Sequence, residues 1–250
     1  MPADRVDGVA WREVVEVSGG VSAVRRDQVA EEVPLAIRCN GEPLAVMMVS
    51  PCDLEDFAHG FALTELGLGP ADLVSVVLQA VLEGIQLDLR TRDPLPARAA
   101  DPQRWLPGRS GCGICGHRHL EDVVRQPAAV GQGSAIASSA LEVALRQIEQ
   151  RQPLNAATGA IHAAAWARAD GSLVLVREDV GRHNALDKLI GAMQREGVDP
   201  ASGFALFPLL AAMSAPTALA VGLATGCGMT LVGFLRAGRY VVYSHQDRIG

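Results

Sequence analysis

The stretch that decides the fold reads AIHAAAWARADGSLVLVREDVGRHNALDKLIGAMQREG, residues 160–197. Residues 160–168 and 172–177 are apolar runs that flank Ala169, Asp170 and Gly171, a turn-forming triplet, and together they predict a hairpin. Directly behind it, Leu186, Leu189, Ile190 and Met193 share one face at helical spacing, so residues 184–196 predict a helix that Gly197 stops. Asn184 is the expected N-cap and Asp187 an acid of the first turn. Strands that feed helices make an α/β or α+β protein with a largely buried sheet.

Working outward towards the N-terminus, residues 33–39 and 44–49 are apolar runs separated by Asn40, Gly41, Glu42 and Pro43, a second hairpin. A helix is expected next, with Ser50 as N-cap, Pro51 at its first position and Leu54, Phe57, Ala58 and Phe61 on its buried face, ending at Gly67 and Gly69. Residues 71–82 form an apolar run open to either type, and 84–90 alternate as a strand. Ser139 through Glu142 read as a capping box before a helix with Leu141, Ala144, Leu145 and Ile148 on one face. Beyond Gly197, strand-like runs at 204–207 and 208–213 precede an alanine-rich helix at 216–224 and closing strands at 230–235 and 239–244. The expected organisation is an N-terminal extension over 1–30, partly disordered, a hairpin/helix subdomain and loop over 31–110, and a main domain over 111–250.

Composition narrows the function classes. The 250 residues are 49% apolar and 20% charged, with a net charge of −6, which excludes a disordered chain and argues against a dedicated nucleic-acid binder. Residues 200–235 hold no charged side chain at all. Pro208, Pro216 and five glycines break that stretch, so a membrane span is not expected. Met1 to Gly8 is polar with no apolar core behind it, so no secretory leader is expected either. Five cysteines, an odd number and mostly isolated, do not make a disulfide framework, and a reducing cytoplasm is the expected compartment.

Residues 91–116 change character, with four prolines, several arginines and little periodicity, and a loop of that length in a compact domain is functional or mobile. It ends in Gly111-Cys112-Gly113-Ile114-Cys115-Gly116. As a string this matches G-x-G-x-x-G, but a dinucleotide fingerprint leaves a strand and opens a helix, and here a proline-rich loop precedes it. Cys112, Cys115, His117 and His119 could ligate zinc, although four ligands within eight residues are tight for the usual two-knuckle site. A thioredoxin-like dithiol wants a helix start, which the flanking glycines disfavour. The remaining reading is a swinging thiol: glycines free the backbone, and Arg109, His117, Arg118 and His119 favour thiolate over thiol. Cys39, Cys52 and Cys227 sit in apolar settings and are expected as buried packing.

Two further constellations stand out. Residues 177–188 crowd charged and polar side chains onto a strand-to-helix junction, and Arg182 and His183 beside Asn184 suit an anion or nucleotide at free helix N–H groups. Phe234, Leu235, Arg236, Ala237, Gly238 and Arg239 place two arginines around a glycine turn, a fork geometry that matches phosphate oxygens, although alone such a turn is more often just a hairpin. His162 has Ala164 where a zinc deaminase would carry its glutamate, so it is expected as a core or supporting histidine and deaminase chemistry is excluded.

Taken jointly, residues 108–116, 158–162, 177–191 and the segment from Ser214 to Arg236 resemble the formate dehydrogenase accessory sulfurtransferases, the sulfur carrier proteins of the FdhD family, over roughly residues 31–249. The resemblance implies a cytoplasmic homodimer with a main domain similar to cytidine deaminase: a mixed sheet flanked by helices, with a small N-terminal hairpin/helix subdomain. It implies sulfur taken from a cysteine desulfurase as a persulfide and passed to the bis-molybdopterin guanine dinucleotide form of the molybdenum cofactor for formate dehydrogenase. Cys112 would then carry the persulfide with Cys115 as partner. Residues 234–239 would match the cofactor segment, and Arg182, His183 and Asn184 would shape the same nucleotide pocket. The chain departs from the family at one place. A Ser-Arg-Ala-Ser-like motif and a charged helix belong between the strands at 204–207 and 209–213, yet Phe207 is followed directly by Pro208. Parallel neighbours need a crossover of about a dozen residues, so a degenerate homologue stays open beside an active carrier, as does a zinc-binding or dithiol-redox module.

Overall fold

The computed structural model describes residues 7–94, 127–131, 133–207 and 216–250. Eleven strands and five α-helices among them make a mixed α+β fold. The strands are β1 (Val9–Ser18), β2 (Val21–Ala30), β3 (Val33–Cys39), β4 (Glu42–Val49), β5 (Leu73–Val81), β6 (Gly84–Thr91), β7 (His162–Arg168), β8 (Leu173–Asp179), β9 (Gly203–Leu206), β10 (Leu231–Arg236) and β11 (Arg239–Ser244). The helices are α1 (Leu54–Phe61), prolonged by a π turn over Ala62–Leu66, then α2 (Ser138–Glu149), α3 (Pro153–Thr158), α4 (Arg182–Glu196) and α5 (Ala218–Cys227).

The elements stack in layers. One sheet has the order β4-β3-β6-β5, with β3 and β6 parallel and the other pairs antiparallel. Alternation along its strands puts Leu35, Ile37, Cys39, Val49, Leu87 and Leu89 on one face, where they bury Phe57, Ala58 and Phe61 of α1. A second sheet, β8-β7-β9, is antiparallel throughout. Its central strand is covered on both sides: Ala164 and Trp166 pack on Ala185, Leu189 and Met193 of α4, while Ala165 and Ala167 pack on Ala144 and Ile148 of α2. That two-sided burial is why residues 162–167 read as an almost unbroken apolar run. Helices α1 and α4 join the two sheets, crossing so closely that a Cβ on Gly60 would run into the carbonyl of Asp187 and one on Gly191 into the carbonyl of Asp56. The parallel neighbours that the deaminase likeness implies for the main domain are not among the described residues.

Most expected elements are present, and four details differ. Residues 9–30, expected as part of an extension, form a ten-pair antiparallel hairpin. Gly19 and Gly20, both at positive φ (57° and 83°), turn it. Val9 anchors its base on Leu154 and Ile161. Ser50 is not an N-cap: residues 51–53 bend before the helix and Asp53 precedes Leu54 in a left-handed conformation. The capping box at Ser139 does not form, because the helix starts two residues earlier than that cap requires, at Ser138 with Ala137 before it. Asn184 is not the N-cap of α4 either; Gly181 holds that place without a side-chain bond. The run at 71–82 resolves as β5, an edge strand. The expected strand at 208–213 lies outside the described residues.

Candidate functional site

The junction of β8 with α4 is built around a carboxylate. Asp179, the last residue of β8, is fully buried, and both its oxygens are saturated. Oδ2 accepts from the Ser50 N–H at 3.0 Å and from Lys188 Nζ at 2.7 Å. Oδ1 accepts from the Gly181 N–H at 2.8 Å and from Asn184 Nδ2 at 2.9 Å. Lys188, also fully buried, donates further to the carbonyls of Ser50 (3.1 Å) and Glu178 (3.2 Å). The Val180 N–H donates to Ser50 Oγ at 3.1 Å, and Asn184 Nδ2 to the Met48 carbonyl at 2.8 Å. Two loops 130 residues apart in the chain are thereby stitched together. A buried charge pair with every lone pair and proton engaged is tolerated where a half-satisfied one is not.

This clamp decides what the polar run at 177–188 can offer a ligand. Asn184 is buried and its amide is committed to Asp179 and Met48, so it holds the helix start rather than projecting from it. Arg182 and His183 are exposed on the first turn of a 15-residue helix, where the dipole favours an anion. Partial desolvation, then the Arg182 charge, push the His183 imidazole below its ordinary pKa, so it is a neutral donor or acceptor near neutral pH.

Arg236 and Arg239 lie at the turn between β10 and β11. Phe234 takes a left-handed conformation (φ 51°) at an irregular register between Gly233 and Arg236. That irregularity lets Leu235 pack with the α2 core while Arg236 and Arg239 face each other across the turn, both exposed with Ala237 and Gly238. The Gly238 N–H donates to Glu142 Oε1 at 3.2 Å, fastening the turn to α2. Glu142, expected as a capping-box acid, serves this purpose instead. Among the described residues no hydrogen bond, ion pair or shared apolar cluster joins this turn to Arg182–Asn184.

Cys112 and Cys115, with the arginine and histidines around them, lie outside the described residues. Of the other thiols, Cys39 and Cys227 are buried as expected, but Cys52 is half-buried, 3.7 Å from Lys188 Nζ. Burial pushes the Cys39 and Cys52 thiols above their ordinary pKa; the Lys188 charge opposes this at Cys52 without reversing it. His162 is half-buried at the start of β7, its Nδ1 without a partner. No group of three His, Cys, Asp or Glu suited to a metal occurs among the described residues, and no helix among them is long and apolar enough to cross a membrane.

Sequence reasoning missed the partners that hold this frame. Glu178 accepts from the N–H groups of Leu154 (3.0 Å) and Asn155 (2.8 Å), capping α3 from across the fold. Asp56 on α1 binds Arg177 at 2.7 Å and also Arg195. Charge alternation along one segment carries no signal for partners 23 and 24 residues away, as at Glu178, or 121 and 139 away, as at Asp56.

Comparison with known proteins adds what the geometry alone does not. The sequence model of the FdhD/NarQ family matches residues 30–207 and 203–250. "Sulfur carrier protein FdhD" of Xanthomonas campestris pv. campestris strain B100 is 48% identical over 261 aligned residues, covering 97% of this chain and 92% of that protein. The protein of the same name from Bordetella bronchiseptica is 44% identical, covering 99% and 96%. Among solved structures, a candidate formate dehydrogenase accessory protein from Desulfotalea psychrophila superposes with a TM-score of 0.73 over 96% of this chain and 99% of its own, at 22% identity, a likeness of fold. The family match falls into two segments that overlap at residues 203–207, beside the Phe207–Pro208 junction. The Xanthomonas alignment also spans more positions than the 250 residues present, so that relative carries residues this chain lacks.

Proposed function

This chain belongs to the FdhD/NarQ family, and from that premise we propose that it is a sulfur carrier for formate dehydrogenase with Cys112 as its carrying thiol. Relatives named as sulfur carriers, at 44–48% identity along nearly the whole length, carry this reading. The chemistry of the remaining thiols supports it. Cys39 and Cys227 are shut in, and burial holds Cys39 and Cys52 in the thiol form, which is a poor nucleophile. Cys112 and Cys115 are the two left for transfer.

In the proposed sequence the Cys112 thiolate attacks the outer sulfur of a persulfide on a cysteine desulfurase. The donor's S–S bond breaks, its cysteine leaves as thiolate, and Cys112 holds the sulfane sulfur. Delivery follows when the Cys115 thiolate attacks the Cys112 sulfur. A disulfide forms, the terminal sulfur leaves as hydrosulfide for the molybdenum cofactor, and a cellular dithiol reduces the disulfide afterwards. A direct relay from Cys112 to Cys115 before release is the other order open to the same pair. Arg236 and Arg239 around the β10–β11 turn, and Arg182 with His183 at the α4 start, are the proposed contacts for the cofactor's phosphates. A homodimer in the cytoplasm is part of the same proposal. Incubation with a desulfurase and cysteine should add about 32 Da per sulfur to the intact protein by mass spectrometry. Cys112→Ala should abolish that addition; uptake equal to wild type would remove Cys112 from the mechanism.

A further inference from the structure

Where α1 and α4 cross, Asp187 is buried, 8% exposed, between backbones in direct contact. None of the ion pairs among the described residues includes it. Its Oδ1 lies 2.9 Å from Thr64 Oγ1, and the same hydroxyl lies 3.1 Å from the Gly60 carbonyl. A hydroxyl has one proton. With Asp187 ionised, that proton would face two acceptors, and either a carboxylate without a cation or the Gly60 carbonyl would go without it. With Asp187 protonated, its O–H donates to Thr64 Oγ1, and Thr64 donates to Gly60, so each proton has one acceptor.

The surroundings favour the same state. Desolvation comes first, and it pushes the carboxyl up to about 7 against the Thr64 hydrogen bond, which favours the charged form; Glu65 of the π turn and Asp179 of β8 add like charge. Lys188, the neighbouring cation on α4, is spent on Asp179, and His183 on the same helix faces Glu65. On α1, Asp56 is paired with Arg177 and Arg195, while His59 is pushed down by burial and by the Arg195 charge and so stays neutral.

We propose that Asp187, Thr64 and the Gly60 carbonyl form a proton-operated latch between α1 and α4, closed when Asp187 is a neutral acid and loosened when it ionises. Loosening reaches the start of α4, so the latch would tie anion binding at Arg182 and His183 to pH near neutrality; that consequence rests on the function proposed above, whereas the latch itself rests on the crossing alone.

The test is difference infrared spectroscopy on the full chain, wild type minus Asp187→Asn, from about pH 5 to about pH 9. A protonated-carboxyl band should be present at the acid end and fade with a midpoint near neutrality. Amide protection in α1 and α4, with the intrinsic base-catalysed rise in exchange divided out, should fall over the same range in wild type and not in Asp187→Asn. Absence of the band at the acid end, or the same loss of protection in both proteins, overturns the latch. If Asp187→Asn does not fold, Thr64→Val should displace the midpoint of the exchange step and Thr64→Ser should keep it; an unmoved midpoint in Thr64→Val overturns the relay. Sulfur uptake at Cys112 enters none of these readings, so latch and carrier fail independently.

Discussion

Lys188→Met should cost the fold about 3–5 kcal/mol, the usual penalty for removing one partner of a buried ion pair. The structure places the value within that range. Methionine replaces most of the lysine stem, so little cavity opens and the loss is electrostatic. What disappears is the 2.7 Å contact to Asp179 and the donors to the Ser50 and Glu178 carbonyls. What remains is an Asp179 carboxylate still held by the N–H groups of Ser50 and Gly181 and by the Asn184 amide. Those three donors offset part of the desolvation and keep the cost nearer 3 than 5 kcal/mol. For a domain of this size about 1 kcal/mol moves Tm by roughly 2–4 °C, so a fall of about 6–12 °C is expected. Urea and thermal unfolding followed by circular dichroism measure it. Asp179→Asn should cost a similar amount, because it leaves the ammonium buried without its counter-charge. The double variant should lose less than the sum of the two, by about 2 kcal/mol. A loss below about 1 kcal/mol for Lys188→Met, or strict additivity in the double variant, would refute the claim that this pair holds the two loops together.

Three further outcomes follow from the same geometry. Asp187 titrates near 7 in the folded chain against an ordinary value of 3.8, so folding retains its proton between those values. Stability should therefore fall by about 1.4 kcal/mol per unit as pH rises from about 4 to about 7 and level off above, a slope that Asp187→Asn removes from a plot of Tm against pH. Gly60→Ala should destabilise by about 1–3 kcal/mol or more in urea titration, because the added Cβ meets backbone that cannot give way, whereas Gly131→Ala, with open space around it, should be neutral. If the residues missing at the Phe207–Pro208 junction belonged to the cofactor pocket, sulfur uptake at Cys112 should stay intact while restoration of formate dehydrogenase activity in a strain lacking the carrier is lost; loss of both would place the defect in the thiol loop.

What the sequence discloses is what local periodicity encodes. The run at 160–197 announces its hairpin and helix because the turn at 169–171 and the stop at Gly197 are local, and because burial on both faces of β7 leaves it apolar throughout. The β1–β2 hairpin is hidden for the opposite reason: Val14 shares one face with Arg12, Glu16, Arg25 and Asp27, Glu13 and Arg26 share the other with Trp11, Val15 and Val24, and this mixing masks the alternation although Gly19-Gly20 marks the turn. Ser50 and Asn184 fail together as N-caps for one physical reason. A polar side chain beside a helix start can bond its own backbone or something distant, and here both take Asp179's neighbourhood, with the Ser50 hydroxyl accepting from the Val180 N–H 130 positions away. Nothing in either local segment distinguishes those outcomes. The candidate site follows the same division: residue types and family likeness are legible, while the geometry that commits Asn184 to the clamp and leaves Arg182 and His183 outside is not.

The scarcity of charge gains meaning from these contacts. A chain with 22 basic and 28 acidic residues buries Asp179, Lys188 and Asp56, and pairs Asp56 with half-buried Arg177 and exposed Arg195. All five sit where α1 or the β4–α1 connection meets β8 and α4, so these paired charges are concentrated on joining the first sheet to the second. Thiols are divided in the same manner. The frame encloses Cys39 and Cys227 and half-buries Cys52, and burial disfavours thiolate at Cys39 and Cys52. A carrier has to give up its sulfur as readily as it accepts it, and a thiol fixed in that frame could do neither. On the proposed function, transfer chemistry falls to the glycine-flanked pair at Cys112 and Cys115, and a defect in the frame and a defect in the carrier should separate cleanly when stability and sulfur uptake are measured on the same variants.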